Sequence, residues 1–364
     1  MQAELIHDAL DKVEIVPFED PRARVAELQL DADGFALPLS SRVAWNEHFG
    51  GEGSCLLLAK SEEGNARAGV AIELTPTRAL PGHSVARVRA FGEPYATPAG
   101  VALLSGAVQF AKRVPRVLRL CVELQCGDGS AKDLLKHRLT ELGFRSCPPQ
   151  RIPELTMAVS LEPDEERLLN SFNASTRHKI RKSFRHGVEI EDIRDSSYFD
   201  RLDQLLDETF SRTGGRIDRI DWGAVVEVCV SVPHRSRLIG AFIGSGRDPS
   251  NLMAFAWGTH HGDRAVYDVS ASTRESGTNL PLLYPIVWTL MTWAKGTGAK
   301  WFDLNGMTRE SGDDVDRLES ISRFKRGFGG KELSFGEEWI FEPNPMRARV
   351  AGLMSGIRRR IQGG

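Results

Sequence analysis

The feature that most constrains this chain is a pattern that occurs twice. In the first half, the run CLLLAK (55–60) and a polar turn lead into ARAGVAIEL (66–74) and then SVARVRAFG (84–92). A Pro-led stretch, PAGVALLSGAVQFAKR (98–113), and the run VLRLCVEL (117–124) follow. In the second half, SRLIGAFIG (236–244), LMAFAWGTHH (252–261) and RAVYDVSAS (264–272) precede NLPLLYPIVWTLMTWAKGTG (279–298) and KWFDLNGM (300–307). Each half reads as a three-strand meander, a helix and one more strand. Leu283, Ile286, Val287, Leu290, Met291 and Ala294 recur at helical spacing, and Gly296 and Gly298 end that helix. A crossover helix joins strands of the same direction, so each half should hold a parallel or splayed pair at that step. The pattern is a tandem repeat of one α/β unit. With 364 residues, 41% of them hydrophobic, the chain can bury two cores. The expected division is residues 1–162 for the N-terminal unit, 163–342 for the C-terminal unit and 343–364 for a basic amphipathic tail.

Net charge is −2, so no global field favours nucleic acid or membrane. The distribution is uneven: Pro343 to Gly364 holds five arginines and no acidic residue. Met346, Val350, Leu353, Met354, Ile357 and Ile361 form a helical stripe among those arginines. The tail suits either an anionic membrane surface or docking on the first unit. The five cysteines include no CxxC, and Cys55, Cys121 and Cys229 sit in apolar runs, as expected of reduced thiols in a cytoplasmic protein. Neither a signal segment nor a bilayer-length apolar run is evident, and the histidines show no metal-ligand spacing. No recognition-helix module points to DNA.

Between the halves, Leu168, Leu169, Phe172, Ile180 and Phe184 approximate one helical face, stopped by Gly187. The opposite face carries Arg177, Lys179, Arg181, Lys182 and Arg185. These residues are either a solvated basic face or a meeting place for phosphates. Near the end, RFKRGFGGKEL (323–333) places three cations within four residues, then three glycines around Phe328. Phe324 and Phe328 read as core anchors, and the glycines as a tight turn or a close approach to a ligand. Lys325 and Arg326 would then project toward charge, unless the segment is simply a basic hairpin.

Three motifs, taken in order, resemble the Fem-type aminoacyltransferases and related acetyltransferase-like proteins of envelope biosynthesis. They are Arg177-His-Lys-Ile180-Arg181-Lys182 with Gly187-Val188, Trp301-Phe302-Asp303-Leu304-Asn305-Gly306, and Phe324-Lys325-Arg326-Gly327-Phe328-Gly329-Gly330. LTELGFRSCPPQRIPELTMAVSL (139–161) is similar to that family's hinge, so the resemblance runs from about Trp45 to Trp339. It implies an α/β (α+β) fold of two tandem GNAT-like acyltransferase units, each a mixed, mostly antiparallel sheet flanked by helices. It also implies that the C-terminal stretch returns to the first unit.

The implied chemistry is N-acyl transfer. An activated donor, aminoacyl-tRNA or acyl-CoA, gives its (amino)acyl group to an amine of a cell-envelope precursor or small metabolite. No covalent intermediate and no tightly bound cofactor are needed. Asp268 and Asp303 are carboxylates within apolar strands and must be paired or functional. Asp303 is the first candidate to orient or deprotonate the amine, and Asp268 the second; the plainer alternative for both is a structural pair with an arginine. Asn305 should face the same side as Asp303 and reach a substrate. The resemblance puts Lys325 near a phosphate or the developing oxyanion. Arg274-x-x-Gly277 resembles the pyrophosphate loop of acyl-CoA enzymes, although Asn279 stands where those have a small residue. Arg177, Arg181 and Arg326 are further phosphate candidates. Tyr267, Trp257 and Trp288 would line an acceptor groove or fill the core. Two other readings are an acyl-CoA-dependent enzyme acting on an amino sugar or exopolysaccharide unit, and a non-catalytic scaffold of polysaccharide export. The expected location is the cytoplasm, with peripheral contact at the inner face of the cytoplasmic membrane through the tail.

Overall fold

The meander–helix–strand pattern folds into the same seven-stranded sheet twice. The computed structural model describes residues 13–127, 129–147, 152–213, 219–244, 246–274, 279–307 and 315–362. In chain order the first elements are β1 (Val13–Pro17), α1 (Pro21–Ala32), α2 (Val43–Phe49), β2 (Cys55–Lys60), β3 (Ala66–Pro76) and β4 (Ser84–Phe91). α3 (Pro98–Arg113), β5 (Val117–Gln125), α4 (Ser130–Glu141), β6 (Arg145–Cys147) and β7 (Leu155–Ser160) follow. Next come α5 (Glu165–Ser171), α6 (Ala174–Arg185), β8 (Glu189–Asp192), α7 (Phe199–Thr213) and α8 (Trp222–Ser231). β9 (Ser236–Phe242), β10 (Leu252–His261), β11 (Arg264–Ser272), α9 (Leu283–Gly296) and β12 (Trp301–Gly306) repeat the first pattern. The chain closes with α10 (Val315–Arg326), β13 (Lys331–Ser334), β14 (Gly336–Phe341) and α11 (Pro345–Gln362).

The strand orders are β1-β2-β3-β4-β5-β14-β6 and β8-β9-β10-β11-β12-β7-β13. Position by position the two sheets correspond, and in each the strand after the crossover helix runs parallel to its neighbour, β4 with β5 and β11 with β12. The sixth position of each sheet is filled from elsewhere in the chain. β14 pairs antiparallel with β5 from Gly336↔Gln125 to Phe341↔Leu120, and β7 pairs antiparallel with β12. The compact units are therefore Met1–Glu154 with Ser334–Gly364, and Leu155–Leu333. This differs from a division at residues 162 and 342. An alternating strand carries the same pattern whichever sheet receives it, so periodicity alone cannot assign β7 or β14.

Each unit has its own core. In the first, Leu103, Leu104 and Ala107 of α3 join Leu57, Val70, Ile72, Val88 and Val122 of the sheet, together with Trp339 of β14. In the second, Ile286, Leu290 and Met291 of α9 join Ile239, Ala254, Ala256, Ala265, Phe302 and Leu304. Local signals explain the helix starts. Thr97 caps α3 through Gly100 N at 3.1 Å, with Pro98 in the first turn, and Asp221 caps α8 through Ala224 N at 3.0 Å. The basic segment between the halves is two helices, not one. Asn173 accepts from Thr176 N at 2.7 Å and starts α6 afresh, while Phe172 turns into the core. Phe184, expected on the apolar face, is exposed.

Candidate functional site

The second unit's parallel strands part early. β11 and β12 pair only at Arg264↔Trp301, Ala265↔Phe302 and Val266↔Asp303. Beyond that rung β11 runs on to Ser272 and β12 to Gly306 without pairing to each other. In the first unit the equivalent strands recover from an irregularity after Val88 and pair again at Phe91↔Leu124. The fork therefore belongs to the second unit.

Three side chains build the fork. Asp303 is 3% exposed, and its carboxylate accepts from Arg264 Nη1 at 2.6 Å, from the Thr156 hydroxyl and from the backbone N–H of Asn305 at 2.7 Å. Burial of a carboxylate is tolerated here because an arginine and two further donors saturate it. Asn305 has φ +64°, a conformation asparagine adopts more readily than most residues, and the β12–β7 register shifts at this point. That kink breaks the strand alternation, so Asn305 does not simply repeat the direction of Asp303. Its Nδ2 instead donates across the fork to Tyr267 O at 3.4 Å, and its Oδ1 accepts from Gly306 N at 2.8 Å.

Lys325 closes the fork's end. It stands in the last turn of α10, is 7% exposed and donates from Nζ to Gly306 O at 2.5 Å. Burial pushes its ammonium down to about 8, and the nearby Asp303 carboxylate opposes that shift. On β11, Trp257↔Val269 is followed by Gly258↔Tyr267, which leaves Asp268 as the extra residue of a bulge. Asp268 Oδ2 accepts from the Thr259 hydroxyl, and Thr259 Oγ1 lies 3.1 Å from His261 Nε2. Sequence reasoning does not single out Thr156, Arg264, Thr259 or His261. Its only signal is that a buried carboxylate needs partners, which does not say which ones.

The glycine-rich segment has a structural explanation. Arg323 to Arg326 end α10 rather than forming a hairpin. A side chain at Gly327 would come within 2.5 Å of Thr176 Oγ1. Gly330 has φ +134°, and a Cβ there would meet Ala158 O at 2.5 Å. The backbone thus turns tightly against α6 and β7. Phe328 is fully buried, edge-on to Phe172 at 5.3 Å between ring centroids. Arg326 pairs with Glu332 at 2.7 Å.

The basic helix lies beside the start of α9. Lys179 Nζ donates to the Tyr284 hydroxyl at 2.8 Å, and Ser183 Oγ lies 3.4 Å from Pro281 O. Arg177 is engaged with the carbonyls of Asn170 and Phe172, while Arg181 is exposed. Arg274 is exposed and lines a groove of about 570 Å³ with Gln204, Asp207, Glu208, Ser211 and Arg212 of α7. Burial, and then the charge of Arg274, lowers the Arg212 guanidinium from its ordinary value. Gly277 lies outside the described residues. Tyr267 is a core residue whose phenol is pushed up by burial. Trp257 is buried and donates to Ser236 Oγ at 2.9 Å. Trp288 packs edge-on against Phe172 at 5.7 Å. The structure therefore gathers Asp303, Asn305, Lys325 and the backbone of Tyr267 at the fork, with Asp268 on the adjoining bulge. It places Arg177, Arg326 and Trp257 in other partnerships.

No protein-family model matches the chain, and no curated protein matches its sequence. Solved structures do. FemX superposes with a TM-score of 0.70 at 16% identity, covering 89% of this chain and 98% of that one. The L-PGS structure from Bacillus licheniformis gives 0.52 at 13% identity over 96% and 99%. A Bacteroides thetaiotaomicron protein of unknown function gives 0.50 at 10% over 89% and 98%. The chain has the fold of FemX, two corresponding α/β units in tandem.

Proposed function

We propose that this protein is an N-acyltransferase whose chemistry takes place at the second unit's fork. Its donor would be aminoacyl-tRNA, and its acceptor an amine on a cell-envelope precursor or small metabolite. The observation that carries this reading is the buried Lys325 ammonium at the end of an open parallel fork. Such a fork leaves the strand backbone from Asp268 to Ala271 unpaired by β12, and its polar groups can hold an acyl chain. The amine nitrogen attacks the acyl carbonyl, the C–N bond forms, the ester C–O bond breaks, and the ribose oxygen leaves as a hydroxyl, taking the proton that the amine gives up through a carboxylate. Lys325 supplies positive charge as negative charge develops on oxygen. The amine's proton passes to a carboxylate, for which Asp268 is better suited than Asp303. Asp303 is saturated by three donors, whereas Asp268 sits on a half-buried bulge. Asp303 and Arg264 then act as the support that holds Asn305 and Lys325.

The exposed cations of α6, Arg181 and Arg185, lie on the helix beside the start of α9 and suit a phosphate-rich donor. A second reading, acyl-CoA as donor, is favoured by Arg274, whose side chain has no ion pair among the described residues. Purified protein incubated with a charged-tRNA mixture and, separately, with acyl-CoAs separates the two. Acyl transfer from tRNA that is lost in Lys325→Met supports the first reading. Thermal stabilisation by CoA that is lost in Arg274→Ala supports the second. Inactivity with both donors would favour a non-catalytic scaffold.

A further inference from the structure

The C-terminal helix presents Met346, Val350 and Leu353 to solvent and Ala348 and Ala351 to the protein. Ala348 and Ala351 of α11 are buried, whereas Met346 is 77%, Val350 49% and Leu353 70% exposed. These three stand at i, i+4 and i+7 and share one face of the helix. Arg347 and Arg349 flank that face, both exposed and without an ion pair among the described residues. In sequence, Ile357 and Ile361 continue the same spacing, three more arginines follow Ile357, and no acidic residue occurs from Pro343 onward. Exposed methionine, valine and leucine in one row are unfavourable in water. Flanking arginines on a helix without a carboxylate would repel a basic partner and attract an anionic one.

We propose that α11 is a docking surface for an anionic lipid bilayer, lying in the membrane interface with the Met346–Val350–Leu353 face inward. Apolar burial and attraction to anionic headgroups act together in such a helix. Among the described residues no helix is long and apolar enough to cross a membrane, so the contact would be peripheral. The inference does not depend on the proposed enzymatic reading.

The test is co-sedimentation of the full chain with vesicles of phosphatidylcholine alone and of phosphatidylcholine mixed equally with phosphatidylglycerol. Binding is expected only to the mixed vesicles and should weaken at high salt. Val350→Glu with Leu353→Glu should abolish it. Arg347→Glu with Arg349→Glu should weaken it about tenfold or more. Circular dichroism of both double variants should match the parent, because all four side chains are exposed. Absence of binding, or equal binding to neutral vesicles, would overturn the proposal. So would vesicle-free self-association that Leu353→Glu removes, since the face would then seat a second copy.

Discussion

The guanidinium of Arg264, on the first rung of the β11–β12 pairing, lies 2.6 Å from the carboxylate of Asp303 on the last. The two side chains are 14% and 4% exposed, so the pair is nearly dry. Breaking it removes a 2.6 Å ion pair from a nearly dry site. Asp303→Ala is expected to destabilise the second unit by about 3 kcal/mol, and Asp303→Asn by less. Chemical denaturation measures both. An Asp303→Ala protein as stable as the parent would show that Arg264 finds water instead.

Lys325 gives the second unit a predictable pH dependence. Its folded value is depressed to about 8 from an ordinary 10.5, mainly by burial. The unfolded chain therefore holds this proton more tightly than the folded one. The destabilising contribution is fully present below about 8 and is relieved as pH rises toward 10.5. Lys325→Met should flatten the stability profile across that window. Thermal melts of both proteins over the alkaline range check the sign.

The sixth strand of the first sheet comes from the last part of the chain. Removing residues 336–364 takes β14 from between β5 and β6, together with the core residue Trp339. The first unit should then lose cooperative unfolding and become protease-sensitive. Limited proteolysis with mass-spectrometric mapping would locate the first cuts. Full protection of residues 13–125 in the truncated protein would contradict the sheet order.

Gly330 combines a left-handed backbone with a close approach to Ala158 O. Gly330→Ala should cost about 1–3 kcal/mol from backbone strain, with more from the clash. Gly187 is also left-handed, but a Cβ there meets nothing within 4 Å. Gly187→Ala should therefore be the milder change. Denaturation midpoints of the two variants give the comparison.

The architecture is legible in the sequence because it rests on periodicity. The two meanders, both crossover helices and the parallel steps follow from apolar spacing and from Pro98, Gly296 and Gly298 as punctuation. The placement of β7 and β14 is not legible, since a strand's alternation does not name its sheet. At the site, Asp303 and Lys325 stand out as charges in apolar surroundings. Their partners Arg264, Thr156 and Gly306 are distant in sequence from at least one of them, and no local spacing connects the set. Alternation predicts that Asn305 follows Asp303, but a positive φ turns it across the fork. The glycines around Phe328 do signal a close approach, and the object approached is α6 and β7.

The most direct test of the central claim is acyl transfer measured with charged tRNA as donor and a set of amine acceptors, for the parent protein and for Lys325→Met. A transferred aminoacyl group is expected with the parent, and a rate reduced about 100-fold or more without the ammonium, the scale of losing one oxyanion-stabilising group. Equal transfer by both proteins would contradict the claim and move the chemistry away from the fork.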